Sequence, residues 1–348
     1  MQEPALARRP TVADIARIAD LSVATVDRVL NGRLPVRQET AQRVFDAAEQ
    51  IGYHGSGLIR RRLEQNLPHY RLGFLLQRPD QLFYQDVATA LQQACAAPTQ
   101  FRATPHIAFL ANQTPPEIAA RLAEMAPRVD AIAMVAVDHP AVTAAVQEIE
   151  AMGKPVFSLL SDFASGVRRG YIGTNNRKVG RTAGWLIARS SKAPGKVVVF
   201  VGSHRFHGHE MREIGFRSYL RETAPDLSIV DTQVSLEDGA LAHEATLDLL
   251  RRHPDLTAIY VAGGGTEGVI SALREEGMAG RIALVCNELN PVTHAALADN
   301  IATAVIGTPL AALGPSTVSL MASALAHPAA DSPGQTFLPF DIFVSENI

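Results

Sequence analysis

Cysteine is nearly absent: Cys95 and Cys286 are the two in 348 residues, far apart and with no CxxC pair. That scarcity excludes a disulfide framework and a cysteine zinc site. Lysine is almost as rare, with four (Lys154, Lys178, Lys192 and Lys196) among 32 basic residues, so the positive charge is arginine's. No apolar run reaches the roughly 18–20 residues of a membrane span, and no signal-peptide pattern opens the chain, so a cytoplasmic protein is expected. GxSxG, HExxH and P-loop patterns are missing as well, and no catalytic constellation replaces them. Neither an enzyme nor a bound cofactor or metal is expected.

What is present is globular: 47% hydrophobic and 19% charged residues, in a length that suits two or three units. The net charge of −3 is unevenly spread, with ten Arg against eight acidic residues over 1–66, and 22 basic against 27 acidic beyond. A basic head on an acidic body points to nucleic-acid binding at the N-terminus.

Three short helices are legible in that head. Thr11 can N-cap the first, with Asp14 in the capping-box place and Val12, Ile15, Ala16 and Ala19 on one face. Asp20-Leu21 breaks the run, and Ser22 then caps a second helix over 23–30 with Val26, Val29 and Leu30 inward. A third is expected over 37–51, striped by Ala41, Val44, Phe45, Ala48 and Ile51 and stopped by Gly52. Two helices joined by a tight turn and followed by a third make a helix-turn-helix.

The segments TVADIA, LSVATVDRVLNGR and ETAQRVFDAAEQIGY resemble the DNA-binding headpiece of the LacI/GalR family of bacterial transcription regulators. The resemblance implies a helix-turn-helix domain over 10–53 whose second helix lies in the major groove. Base-reading positions then fall on Val23, Ala24 and Arg28. Arg28 is able to grip guanine O6 and N7 together, whereas Val23 and Ala24 can only touch a thymine methyl. Thr11, Ser22, Thr25 and Asn31 match phosphate-contacting positions. Asp27 departs from the family's usual Ser, and either pairs with an Arg or accepts from cytosine.

Residues 54–69 match the family's hinge helix and linker, with Gly-Ser-Gly where Pro-Asn is usual. The resemblance implies that Leu58, Arg61, Arg62 and Leu63 meet the minor groove, Leu63 as an apolar wedge.

From Tyr70 short apolar strands alternate with amphipathic helices, at 72–76, 106–110, 131–137, 156–160, 196–201, 227–234, 258–262 and 282–286. That order predicts two doubly wound lobes of parallel sheet. YIGTNNRKVGRTAG, REIGFRSYL and VAGGGTEG are similar to the family's effector domain, which has the periplasmic-binding-protein-like α/β fold. By that likeness 70–348 form an effector-binding and dimerisation domain. Lobe one is expected over about 70–165 and 302–326, lobe two over about 166–301 and 334–348, with crossings near 161–175, 287–302 and 326–337.

Gly263–Gly268 is a formal GxGxxG after a strand, and Glu288 follows where a dinucleotide fold would hold ribose, so a dinucleotide-binding protein or dehydrogenase is the rival reading. His204, His207 and His209 lack a completing ligand for zinc and read as a loop that meets polyol hydroxyls together with Arg212, or as a plain surface loop. The expected effector contacts are Phe83 and Tyr84 as the ring, with Asp162, Asn175, Arg212, Thr266 and Glu288 as hydroxyl partners. The whole reading is a DNA-binding transcription regulator, a repressor, located in the cytoplasm with the nucleoid. Its partners are a near-palindromic double-stranded operator, a sugar or cyclitol effector, and a second copy in a homodimer, or a tetramer.

Overall fold

The computed structural model describes residues 9–31, 36, 38–57, 59, 67–97, 100–191, 194–328 and 334–348. The chain divides into two compact units, one built on 1–69 with 98–102, the other on the remainder.

In the first unit α1 (Val12–Ala19), α2 (Val23–Asn31) and α3 (Gln38–Gln50) fall where the sequence places them. The Asp14 amide donates to Thr11 Oγ1 at 3.4 Å and the Thr11 amide to Asp14 Oδ2 at 3.0 Å, a complete capping box that satisfies two otherwise orphaned donors. Asp20 ends α1 in the left-handed region (φ 52°), which turns the chain into α2. Ile15, Val26, Val44 and Ala48 close the core, and Arg43 ties the corner by donating to the Ala19 carbonyl at 2.6 Å. Ile59, from the expected hinge, is buried in this same core. Leu58, Arg61, Arg62 and Leu63 lie outside the described residues.

The second unit holds two six-stranded sheets. The first runs β2 (Arg102–Leu110), β1 (His69–Gln77), β3 (Ala131–Met134), β4 (Val156–Leu159), β5 (Gly170–Thr174), β11 (Gly334–Leu338). The second runs β7 (Leu227–Val234), β6 (Gly195–Val201), β8 (Leu256–Val261), β9 (Ala283–Asn287), β10 (Ala304–Gly307), β12 (Asp341–Phe343). Both follow the doubly wound order 2-1-3-4-5 with one added strand. β12 pairs antiparallel with β10. In that order the winding reverses between the first and third strands, and ligands bind in the crevice beyond the carboxyl ends there.

The lobe boundaries differ from those expected. β5 pairs with β4 and belongs to lobe one, so that lobe runs past 165 and the first crossing falls after Thr174, at the far end of the expected 161–175 span. β10 pairs with β9 and stays in lobe two, which moves the second crossing to Thr308-Pro309. There α12 (Leu310–Ala326) returns to pack on α4 (Leu82–Ala96), with Gly314 against the Ala90 carbonyl. β11 adds to β5 in lobe one before β12 crosses back. These four strands are short, and three of them, β5, β10 and β11, carry glycine, which breaks up the apolar run that marks the others.

Candidate functional site

Two surfaces carry the residues singled out by sequence. On α2 the side chains of Val23, Ala24 and Arg28 are exposed, and Arg28 makes no hydrogen bond or ion pair among the described residues. The polar set around them is locally engaged. Ser22 and Thr25 share a hydroxyl contact of 2.8 Å, and Ser22 caps α2 by accepting from the Thr25 amide. Thr11 is held in its capping box with Asp14. Asn31 Nδ2 donates to Asp27 Oδ1 at 2.6 Å, so Asp27 pairs with an amide one turn on and not with an Arg.

The second surface is a cavity of about 430 Å³ between the two sheets, large enough for a monosaccharide. It opens at both reversal points: after β1 and β3 on one side, after β6 and β8 on the other. Of the seven expected effector contacts, Phe83, Tyr84, Arg212, Thr266 and Glu288 line it. Phe83 and Tyr84 meet edge to face with ring centres 5.3 Å apart. Burial raises the Tyr84 hydroxyl well above its usual pKa, so it stays a donor.

Arg212, on α8 (His207–Thr223), organises the floor. Its Nε donates to Asn176 Oδ1 at 2.7 Å, one Nη to the Ala262 carbonyl at 3.0 Å, and the other lies 3.7 Å from Glu288 Oε1. Glu288 accepts from the Thr308 amide at 2.9 Å and from its hydroxyl at 2.8 Å. Burial pushes the Glu288 carboxyl up, with Arg212 and Thr308 pulling the other way. Glu288 also sits at φ 68°, a left-handed conformation that costs on the order of 1–3 kcal/mol and turns the carboxylate inward.

Two expected contacts lie elsewhere. Asp162 is bound by Arg168 in a buried pair (2.5 and 2.7 Å), by Ser158 at 2.7 Å and by Gln335 at 2.8 Å. Burial alone would raise its carboxyl, but those donors outweigh it and hold the pKa below the ordinary value. This is a brace inside lobe one. Asn175 caps α7 (Asn176–Ser190), accepting from the Lys178 amide at 3.1 Å, and its neighbour Asn176 faces the cavity instead.

Several lining residues escaped the sequence reading: Glu237, Asn287, Phe206 and Thr308. Asn287 closes β9, Thr308 directly follows β10 and Phe206 caps α8, positions that could have been found from the ends of elements, whereas Glu237 lies in the loop after β7 and carries no such signal. His209, expected in a loop, stands in the first turn of α8, and burial and then the Arg212 charge push its pKa down to about 3. The histidines gather no metal set among the described residues. Glu237 crosses the cleft: its carboxylate accepts from Gln113 of lobe one at 3.1 Å and its carbonyl from Gln81 at 3.4 Å.

The glycine run has a packing reason. A Cβ at Gly263 would fall 2.5 Å from the Gly202 amide, and one at Gly268 would fall 1.9 Å from the Gly239 carbonyl. Gly265 caps α10 (Thr266–Glu275) at φ 91°. Close packing of cleft loops and helices therefore accounts for the GxGxxG without a pyrophosphate.

Residues 72–329 match the family model described as periplasmic binding protein domain, and 11–56 match that of bacterial regulatory proteins, lacI family. Among curated relatives, the GalR regulator of Lacticaseibacillus casei is 32% identical over 111 residues, 30% of this chain and 32% of its own. Catabolite control protein A of Priestia megaterium is 29% identical over 82 residues, 24% of each chain. The chain thus matches about a quarter to a third of the length of these relatives. A solute-binding protein of Burkholderia graminis solved with D-arabinose superimposes with TM-score 0.73 at 20% identity, covering 79% of this chain and 96% of that one. GanP, a glucose-galactose binding protein of Geobacillus stearothermophilus, gives TM-score 0.71 at 21% identity, covering 81% and 99%. At such identities the likeness is one of fold.

Proposed function

The chain belongs to the periplasmic-binding-protein-domain family and carries a lacI-family headpiece, and from this we propose that it is a DNA-binding transcription regulator controlled by a small molecule. It acts as a dimeric repressor in the cytoplasm, with Arg28 reading guanine in each half-site and Leu63 of each protomer wedging the minor groove. Two headpieces on a near-palindrome supply the roughly 10³–10⁷-fold preference over bulk DNA that one short helix does not reach.

One observation carries the reading: a single chain holds a guanidinium outward on a helix-turn-helix, unpaired among the described residues, and, separately, a polar cleft between two lobes. The effector is a sugar or polyol. Tyr84, Asn176, Arg212 and Thr266 offer hydroxyl-recognising groups, and Phe83 or Phe206 offers a ring face. A sugar phosphate would call for more than one free Arg, whereas Arg212 is already engaged by Glu288. By linkage the ligand must bind one lobe arrangement better than the other, since equal binding shifts nothing.

The test is a footprint on operator fragments selected from genomic DNA, with and without sugars that raise the melting temperature of the full chain. Symmetric protection of two half-sites, changed by a stabilising sugar, supports the proposal. Protection without sequence preference overturns the regulator, and stabilisation only by purines or dinucleotides overturns the effector class.

A further inference from the structure

The charges in the cleft do not cancel. Arg212 is matched by Glu288 at 3.7 Å, and Arg78, the other guanidinium on the wall, by Asp80 at 3.1 Å. Asp238 spends its carboxylate capping α9 (Gly239–Arg252), accepting from the Leu241 amide at 3.0 Å, and Glu267 stands exposed at the rim. That leaves Glu237. It is 5% exposed, and among the described residues only Gln113 donates to its carboxylate, at Oε2. Oε1 faces His209 Nε2 at 3.8 Å, too far for a hydrogen bond. Burial and Arg212 keep that imidazole uncharged, so it supplies no counter-ion.

The backbone goes to some length to place this carboxylate. Leu236 and Glu237 both sit in the left-handed region, at φ 52° and 57°, and Gly264 leaves room for the turn, since a Cβ there would fall 2.7 Å from Glu237 Cβ. Strain of this kind persists where the surrounding structure fixes it for use. A second acceptor points the same way. Asn287 lines the cavity at 5% exposure, with Nδ2 donating to the Val261 carbonyl at 2.7 Å and Oδ1 buried without a partner among the described residues. Buried acceptors without donors are costly and rare in a finished site. A hydroxyl would fill one lone pair, but it would put no cation in contact with the Glu237 carboxyl, which burial raises and which Gln113 and the charges of Arg78 and Arg212 pull down. An ammonium supplies three donors and the charge together.

We propose that the effector is an amino-polyol, an amino sugar or aminocyclitol, whose ammonium rests against Glu237 while its hydroxyls meet Arg212, Asn176 and Asn287. This deepens, and rests on, the reading of the cleft as a carbohydrate site. Glu237 is then the specificity-determining residue that separates amine from neutral sugar.

The experiment is calorimetric titration of the full chain at low salt with matched pairs: glucose and glucosamine, galactose and galactosamine, myo-inositol and its amino-deoxy counterpart. At least one amine is expected to bind about tenfold or more tighter than its neutral partner. N-acetylation, which removes the charge, should erase the gain, and E237Q should bring the pair to within about twofold. The wild-type ratio and its response to acetylation decide the matter even where E237Q fails to fold. Equal or tighter binding by the neutral member of every pair overturns the inference and leaves the carbohydrate reading standing. Binding by none of these sugars, or by phosphorylated sugars alone, overturns both.

Discussion

The helix proposed to read DNA and the cleft proposed to read the effector are opposite solutions to recognition. On α2 the reading groups face outward, and Arg28 has no partner of its own among the described residues. In the cleft the equivalent cation, Arg212, is already bound by Asn176, Ala262 and Glu288 before any ligand is considered. A surface that meets a polyanion gains from free charge, because phosphates supply the compensation and steer the approach. A desolvated cavity gains from charge fixed in advance, because an unmatched buried ion is expensive and a loose one must be ordered on binding. The contrast says where a substitution should harm folding, where it should harm only ligand, and where only DNA.

The largest effect should fall on neither reading surface. Asp162 is the most heavily bound carboxylate of lobe one, paired with Arg168 and accepting from Ser158 and Gln335. Removing it leaves Arg168 buried and unpaired, so D162A should lose roughly 3–5 kcal/mol of stability. The sign with pH follows from a folded pKa held below the ordinary one. The contribution is present above the unfolded value near pH 3.9 and fades as pH falls through the folded value. Urea melts at pH 7 and pH 3 should therefore show a gap between wild type and D162N that closes in acid. A gap that stays constant would mean the pair is not what holds lobe one.

R212A comes next and sharpens the contrast, since it should cost effector affinity on the order of 2–4 kcal/mol while sparing DNA affinity in the absence of effector. Titration calorimetry and a gel shift on the same preparation check it. A parallel loss in both assays would mean that Arg212 mainly supports the fold.

The two surfaces were also unequally legible in the sequence. The headpiece is local: Thr11 and Asp14 are three apart, Ser22 and Thr25 likewise, and one helical period decides which side chains turn outward. Caps and stripes of that kind are read directly from spacing. The cleft is assembled from positions far apart in the chain, such as Gln113 with Glu237 and Glu288 with Thr308. No spacing rule connects those. The neighbours Asn175 and Asn176 look alike in sequence, yet one caps a helix and the other binds Arg212, a difference of one helical position set by packing at Gly180 and Gly208. Asp162 reads as a ligand in sequence because a carboxylate at a strand end is the usual signal, and Arg168, which holds it within lobe one and outside the cavity lining, carries no periodic cue. β5, β10, β11 and β12 are at most one residue shorter than β3 or β4, but glycine or polar residues interrupt them, so they show no continuous apolar run in the sequence.

Arg28 should show the intermediate effect. If it grips a guanine, R28A loses about 1–3 kcal/mol on the selected operator and relaxes preference at one position in each half-site. Competition binding against a panel of single-base operator variants measures it. Uniform weakening over the whole panel would make Arg28 a phosphate contact and remove the base-reading role from α2's one long polar side chain.

The smallest effect tests the one place where the headpiece behaves like the cleft. Asp27 holds the Asn31 amide at 2.6 Å, and it brings a negative charge to a surface proposed to meet phosphate. D27S should release Asn31 and remove that repulsion. The gain is expected to be about 0.5–1 kcal/mol, the size of one charge-assisted contact at an exposed site. It should be the same on cognate and random DNA, because phosphate contacts carry no sequence information. Fluorescence anisotropy across a salt series gives the answer: binding tightens a few-fold at every salt concentration on both DNAs, and the salt slope steepens if Asn31 reaches phosphate through a displaced counter-ion. A gain confined to the cognate operator would instead place residue 27 against a base, and a loss there would make Asp27 an acceptor for cytosine N4.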